Sequence, residues 1–101
     1  MNTQKVYIYL DDLRDTPKGF IRTHSVNETI RLIEELEKQN LEIMLIDLDH
    51  DLGNYASDGG DAIKLLDWLA ERNTLYPIKI HTMNGVGRDN MQRMIDRFWG
   101  E

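Results

Sequence analysis

The chain has 101 residues, no cysteine, and 18 acidic against 12 basic residues, for a formal charge of −6. That length fits one domain and excludes a second hydrophobic core, and the lack of cysteine excludes disulfides, thiolate metal sites and thiol nucleophiles. The acidic balance argues against binding extended nucleic acid, and no signal-like or membrane-length apolar stretch occurs, so a single soluble, unprocessed, cytoplasmic domain over residues 1–101 is expected.

Val6-Tyr7-Ile8-Tyr9-Leu10 reads as a first strand that ends in Asp11 and Asp12. The stretch from Asp11 to Gly19 is too rich in turn formers and charges for a helix and is expected to loop over the strand edge. Phe20 to His24 alternates as a short second strand, and Ser25 or Asn27 is placed to cap a helix from about Glu28 to Gln39. Ile30, Ile33 and Leu36, widened by Leu32, form its inner stripe. Ile43-Met44-Leu45-Ile46 is an apolar run of the kind found in interior strands of parallel sheets, and Asp47-Leu48-Asp49-His50-Asp51-Leu52-Gly53 follows it directly. A polar loop from Asn54 to Gly60 leads to a helix from about Asp61 to Arg72, with Ile63, Leu66 and Leu69, beside Ala62, Leu65 and Ala70, facing inward. Pro77 to His81 is the last strand, Met83 to Gly87 a turn, and about Arg88 to Trp99 the final helix, burying Met91, Met94, Ile95 and Phe98. The order strand, strand, helix, strand, helix, strand, helix implies a three-layer α/β sandwich on a short, mainly parallel four-stranded sheet. Its exposed edges leave a homodimer open.

Two strands therefore deliver carboxylates to one edge, where ligands sit in open α/β folds. Adjacent parallel strands lie about 4.8 Å apart, within reach of a common ligand. Carboxylates about 4 Å apart repel by roughly 4 kcal/mol at an effective dielectric of about 20, so a counter-charge is expected. An oxygen-rich set favours Mg²⁺, Mn²⁺ or Ca²⁺, and a nearby histidine keeps Zn²⁺ open. Asp11 or Asp12, with Asp47 and Asp49, are the candidate ligands, directly or through water, and Asp51 shares their side while the pleat lasts. His50 is equally a ligand or a loop histidine.

His81 closes the last strand at the same edge. With Asp49, the imidazoles of His50 and His81 are the candidates for acid/base work near neutral pH in phosphoester cleavage. Gly85-Val86-Gly87-Arg88 opens a helix whose free N–H groups suit phosphate, and Arg14 and Arg88 add bidentate partners. Thr82, Asn84 and Gly87 complete the candidate phosphate set, although two glycines also suit any strand-to-helix turn and Asn84 equally caps one. Trp68, Trp99 and the methionines are assigned to packing.

These residues resemble the receiver domain of bacterial response regulators, which implies Mg²⁺ binding at Asp11 with Asp12, phosphoryl acceptance at Asp47 and sensing at Thr82. The sequence departs from receivers in its short loop for a first helix and in lacking a fifth strand with its lysine. It is more closely similar to the divergent cyclic-phosphate processing receiver domains, in Leu10-Asp11-Asp12-Leu13-Arg14-Asp15-Thr16-Pro17, in Leu48-Asp49-His50-Asp51-Leu52-Gly53 and in His81-Thr82-Met83-Asn84-Gly85-Val86-Gly87-Arg88-Asp89-Asn90-Met91. That resemblance implies a truncated receiver-like, flavodoxin-like fold directed at nucleotides bearing cyclic phosphates.

The expected function is a metal-dependent phosphoesterase or nucleotide-processing domain using Mg²⁺ or Mn²⁺, with a small nucleotide or phosphate ester as its partner and no membrane or extended nucleic acid. The alternatives are a non-catalytic receiver-like signalling domain and a nucleotide-binding sensor or sponge.

Overall fold

The computed structural model describes residues 4–100. Four strands, β1 (Lys5–Leu10), β2 (Phe20–Thr23), β3 (Glu42–Leu48) and β4 (Ile78–Ile80), combine with helices α1 (Val26–Lys38), α2 (Ile63–Arg72) and α3 (Gly85–Phe98), which follow β2, β3 and β4 in turn. A short 3₁₀ helix, Gly53–Ser57, occupies the loop expected between β3 and α2.

Local chemistry sets the helix ends. Ser25 is extended and its Oγ accepts the Glu28 N–H at 3.1 Å, while the Glu28 carboxylate reaches back to the His24 N–H, a variant of the reciprocal serine–glutamate cap. The cap is thus Ser25, and Asn27 lies inside the helix. Asn73, left-handed at φ 59°, closes α2. Asn84 caps α3, so that helix starts at Gly85 rather than near Arg88, and both glycines fall in its first turn.

All strands are parallel, in the order β2-β1-β3-β4. Leu10 pairs with Leu48 and Leu48 with Ile80, whereas Tyr9 pairs with Asp47 and Asp47 with Lys79. Side chains alternate across the pleat, so these two rows lie on opposite faces. Val6, Ile8, Leu10, Ile46 and Leu48 point into a core completed by Ile33, Leu36, Leu65, Leu66, Leu69 and Met91. Ile30, Ile63, Met94, Ile95, Trp68 and Trp99 pack at its margin, while Phe98 is exposed and lies outside the inner stripe expected for α3.

The α/β receiver-like sheet is present as expected, with one difference in layering. The crossovers from β2 to β3 and from β3 to β4 step the same way across the sheet, so right-handed connections place α1 and α2 on one face. Helix α3 packs beside α2. Among the described residues no helix covers the opposite face, which carries Tyr7, Tyr9, Phe20, Arg22 and Lys79. The helix that would cross from β1 to β2 is replaced by the loop from Asp11 to Gly19, and with it goes a second helical layer. No described helix is long and apolar enough to cross a membrane.

Candidate functional site

The carboxyl edge of the sheet is built residue by residue from backbone pairing. The Asp11 N–H donates to the Thr23 carbonyl at 3.1 Å, the Asp49 N–H to the Leu10 carbonyl at 2.9 Å, and the His81 N–H to the Leu48 carbonyl at 2.9 Å. Each residue is the first beyond its strand, and each is pinned to its neighbour. The edge is thereby rigid at the positions where the side chains converge.

Asp11, Asp12 and Asp49 each offer a carboxylate oxygen within 4.8 Å of the others. Arg14 sits among them, its Nη1 donating to Asp11 Oδ2 at 3.0 Å and to Asp49 Oδ2 at 3.1 Å. Its Nε and Nη2 hydrogens make no hydrogen bond among the described residues. Asp11 is fully buried and saturated: Oδ1 accepts the Leu13 and Arg14 N–H groups at 2.8 and 2.9 Å, and Oδ2 accepts Arg14 and His81. Burial pushes its carboxyl up, but the Arg14 and Leu13 N–H groups, with His81 and the Arg14 side chain, outweigh that and hold it at about 2. Since a carboxylate offers about four lone-pair positions, Asp11 has none to spare while Arg14 stays in place. Asp12 and Asp49 have free lone pairs, and carboxylate oxygens of this kind suit a hard divalent cation, with Asp11 available as a third only when Arg14 moves.

His81 bridges two carboxylates. Its Nε2 lies 2.7 Å from Asp11 Oδ2 and its Nδ1 2.5 Å from Asp47 Oδ1. Ionised carboxylates only accept, so a ring with hydrogen on both nitrogens satisfies both at once. The ring also lies parallel to Tyr9, with centroids 4.5 Å apart. Asp47 therefore turns to His81 on the helix-free face, away from the Asp11, Asp12 and Asp49 group. Burial, together with Asp11 and Asp47, raises the Tyr9 phenol.

The remaining expected residues divide. His50 packs its ring on Gly87 and places Nδ1 2.7 Å from Asp51 Oδ1. The His50 bond is the chief reason the Asp51 carboxyl is lowered. Asn84 ties this pair to α3, since its Nδ2 donates to Asp51 while its Oδ1 accepts the Gly87 N–H at 2.9 Å. Gly87 thus gives its N–H to a cap and its missing side chain to an imidazole, and neither role leaves it facing a phosphate. Thr82 is buried and accepts the Asn84 N–H at 3.2 Å, and Arg88 Nη2 donates to the Thr82 carbonyl at 2.6 Å.

Two hollows open at this edge. An acidic one of about 420 Å³ is lined by Asp11, Asp12, Asp49, Asp51 and Asn84, and a second of about 330 Å³ by Tyr9, Pro17, Asp47, His81 and Arg88. Arg14, Thr82 and Met83 line both, and His50 lines neither.

Several contributors escaped the sequence reading. Met83 is 89 % exposed on the rim, not packed in the core with Met91. Arg22 donates to the Asp11 and Arg14 carbonyls and to Thr16 Oγ1, fixing the loop that carries Arg14. Asp61 joins His50 and Asp51 as a further possible ligand group. Met83 had a legible signal, its place directly after Thr82, while the Arg22 contacts depend on side-chain reach that spacing does not encode.

The family model for the cyclic-phosphate processing receiver domain matches residues 6–97. No curated protein and no solved structure matches the chain. All three motifs at the edge lie inside the matched span, and the chain belongs to this family.

Proposed function

We propose that this member of the cyclic-phosphate processing receiver family is a hydrolase that opens cyclic phosphates on nucleotides with the help of Mg²⁺ or Mn²⁺. The observation that carries the reading is the convergence of Asp11, Asp12 and Asp49 oxygens within 4.8 Å, beside the Arg14 guanidinium and the His81 imidazole. Asp12 and Asp49 would hold the cation, with Asp11 joining them where Arg14, half-exposed, releases it. A bound divalent cation supplies charge neutralisation and Lewis-acid polarisation of a phosphoryl oxygen.

The chain's own groups supply the rest. Arg14, once its Nη1 leaves the carboxylates, is a bidentate donor for the phosphate oxygens. Asp49 takes a proton from the attacking water as the new phosphorus–oxygen bond forms. With hydrogen on both ring nitrogens, His81 gives the one on Nε2, released from Asp11 Oδ2, to the ester oxygen that leaves the ring, and the product is a phosphomonoester. His50 orients Asp51, and through Asn84 it fixes the start of α3, a supporting role in keeping with its absence from both hollows.

Phosphoryl acceptance at Asp47 is the less favoured reading, because His81 occupies its Oδ1. Phosphorus NMR with Mg²⁺ or Mn²⁺ and a panel of 2′,3′- and 3′,5′-cyclic nucleotides tests the proposal. New phosphomonoester signals are expected with the native chain and lost in Asp49→Ala with the fold retained. Metal-dependent turnover undiminished in that variant removes Asp49 from the chemistry, and ligand binding without turnover moves the function to a nucleotide sensor.

A further inference from the structure

We infer that the site is bipartite, with Arg14 as its divider, and that the second hollow seats the nucleoside end of the ligand. The inference rests on the cyclic-phosphate reading for the other half.

The charges of the two halves are opposed. Four carboxylates, Asp11, Asp12, Asp49 and Asp51, line the first, which attracts a cation and repels an anion that comes without one. In the second, the sole carboxylate, Asp47, is already bonded to His81; Arg14 at one side is paired through Nη1 with Asp11 and Asp49, and Arg88 at the other has no carboxylate partner among the described residues. Arg88 spends only Nη2 on the Thr82 carbonyl among the described residues, so its Nη1 and Nε remain free donors.

The walls of the second hollow suit a flat ring. Tyr9 and His81, stacked and parallel, form its floor, and Pro17 and Met83 stand at its rim. Met83 is 89 % exposed, so the core does not account for it. A thioether is polarisable and adaptable and makes favourable contacts with aromatic edges. A purely inorganic or glycerol-sized ester would leave these apolar walls wet. Each hollow lies near the small end of the range for ligand pockets, and the shared wall of Arg14, Thr82 and Met83 joins them into a space for one phosphate and one nucleoside.

The test compares adenosine 2′,3′-cyclic phosphate with glycerol 1,2-cyclic phosphate, which has the same reactive ring and no base. Both are offered to the full chain with Mg²⁺, turnover is followed by phosphorus NMR, and binding by the ε-methyl resonance of ¹³C-labelled Met83. The nucleotide should shift that resonance and be bound or turned over at least about tenfold better than the glycerol ester, as base contacts of this kind commonly provide. Met83→Ala and Arg88→Gln should each shrink that ratio, which a partial loss of folded protein does not move. Equal handling of the two esters overturns the nucleoside seat and leaves the phosphoesterase reading standing. Nucleotide-selective binding without turnover does the reverse. A Met83 resonance that ignores a nucleotide the chain demonstrably binds or hydrolyses places the base elsewhere and overturns the seat.

Discussion

Gly87 shows how one missing side chain organises the edge. A Cβ there would lie 2.5 Å from His50 Cγ, 2.8 Å from its Cδ2 and 2.8 Å from its Nδ1, closer than packed atoms allow. The helical backbone at that point suits alanine, so the usual propensity argument favours the substitution by about 1 kcal/mol. The clash should win. Gly87→Ala is expected to lower stability by about 1–3 kcal/mol in urea unfolding, and to shift the His50 imidazole resonances while leaving those of His24 in place. Gly53 has a related role on the other side of the site. It is left-handed at φ 56°, and a Cβ on it would meet Asp12 Oδ2 at 2.7 Å. Glycine beside carboxylates is readable in the sequence as turn chemistry. Which atom fills the space left by the absent side chain is not, because it depends on contacts between residues 37 positions apart for Gly87 and His50 and 41 for Gly53 and Asp12.

Among the elements, the helices and strands were largely legible because their periods differ. The α1 stripe that includes Ile33 and Leu36, the α2 row of Leu65, Leu66 and Leu69, and the alternation of Val6, Ile8 and Leu10 each mark a single buried face. The ends were less legible, since Asn84 and Ser25 act through particular hydrogen bonds. Layering depended on the direction of each crossover, and only the strand order fixes that. One inter-element contact carries a pH dependence of its own. Glu37 on α1 accepts Arg72 Nη2 at 2.7 Å from α2 and accepts the Tyr76 hydroxyl from the segment before β4. Burial pushes the Glu37 carboxyl up, but Arg72 and Tyr76 outweigh it and leave it below the usual range. Folding therefore favours the ionised form. The stability it contributes is present above the unfolded-state value, near pH 4.5, and fades as pH falls through the lower folded value. Tyr76 has the opposite sign: burial first, then Glu37, push it to about 12, so its contribution holds below about pH 10 and fades as pH rises through about 12. Glu37→Gln should flatten the acid limb of a stability-against-pH curve and cost about 0.2–1 kcal/mol at neutral pH, the range for partly exposed pairs. An acid limb as steep as that of the native chain would remove Glu37 from the account.

At the scale of the whole molecule, the edge concentrates charge that the fold only partly neutralises. The chain carries −6, and Asp11, Asp12, Asp47 and Asp49 crowd one end of the sheet against Arg14 and His81. The clustering was legible because two strands each ended in acids. The partition was not: Asp47 and Asp49 stand two apart in sequence, yet β3 ends at Leu48, so Asp47 keeps the pleat and pairs with His81 while Asp49 turns to Arg14. An edge with an excess of negative charge should be relieved by a cation, and relief at a folded-state site is linked to folding. A ligand at about 100 times its dissociation constant stabilises by about 2.7 kcal/mol. For a domain of roughly 100 residues each kcal/mol moves the midpoint by about 4–8 °C, so saturating Mg²⁺ should raise Tm by roughly 10–20 °C. Potassium at equal ionic strength should reproduce only the small part due to screening. Asp12→Asn and Asp49→Asn should each abolish most of the Mg²⁺-specific increment, whereas Asp47→Asn should leave it largely in place, because Asp47 faces His81 and not the oxygen cluster. A Tm that Mg²⁺ and Mn²⁺ move no further than potassium does would mean that Arg14 and His81 alone balance the edge.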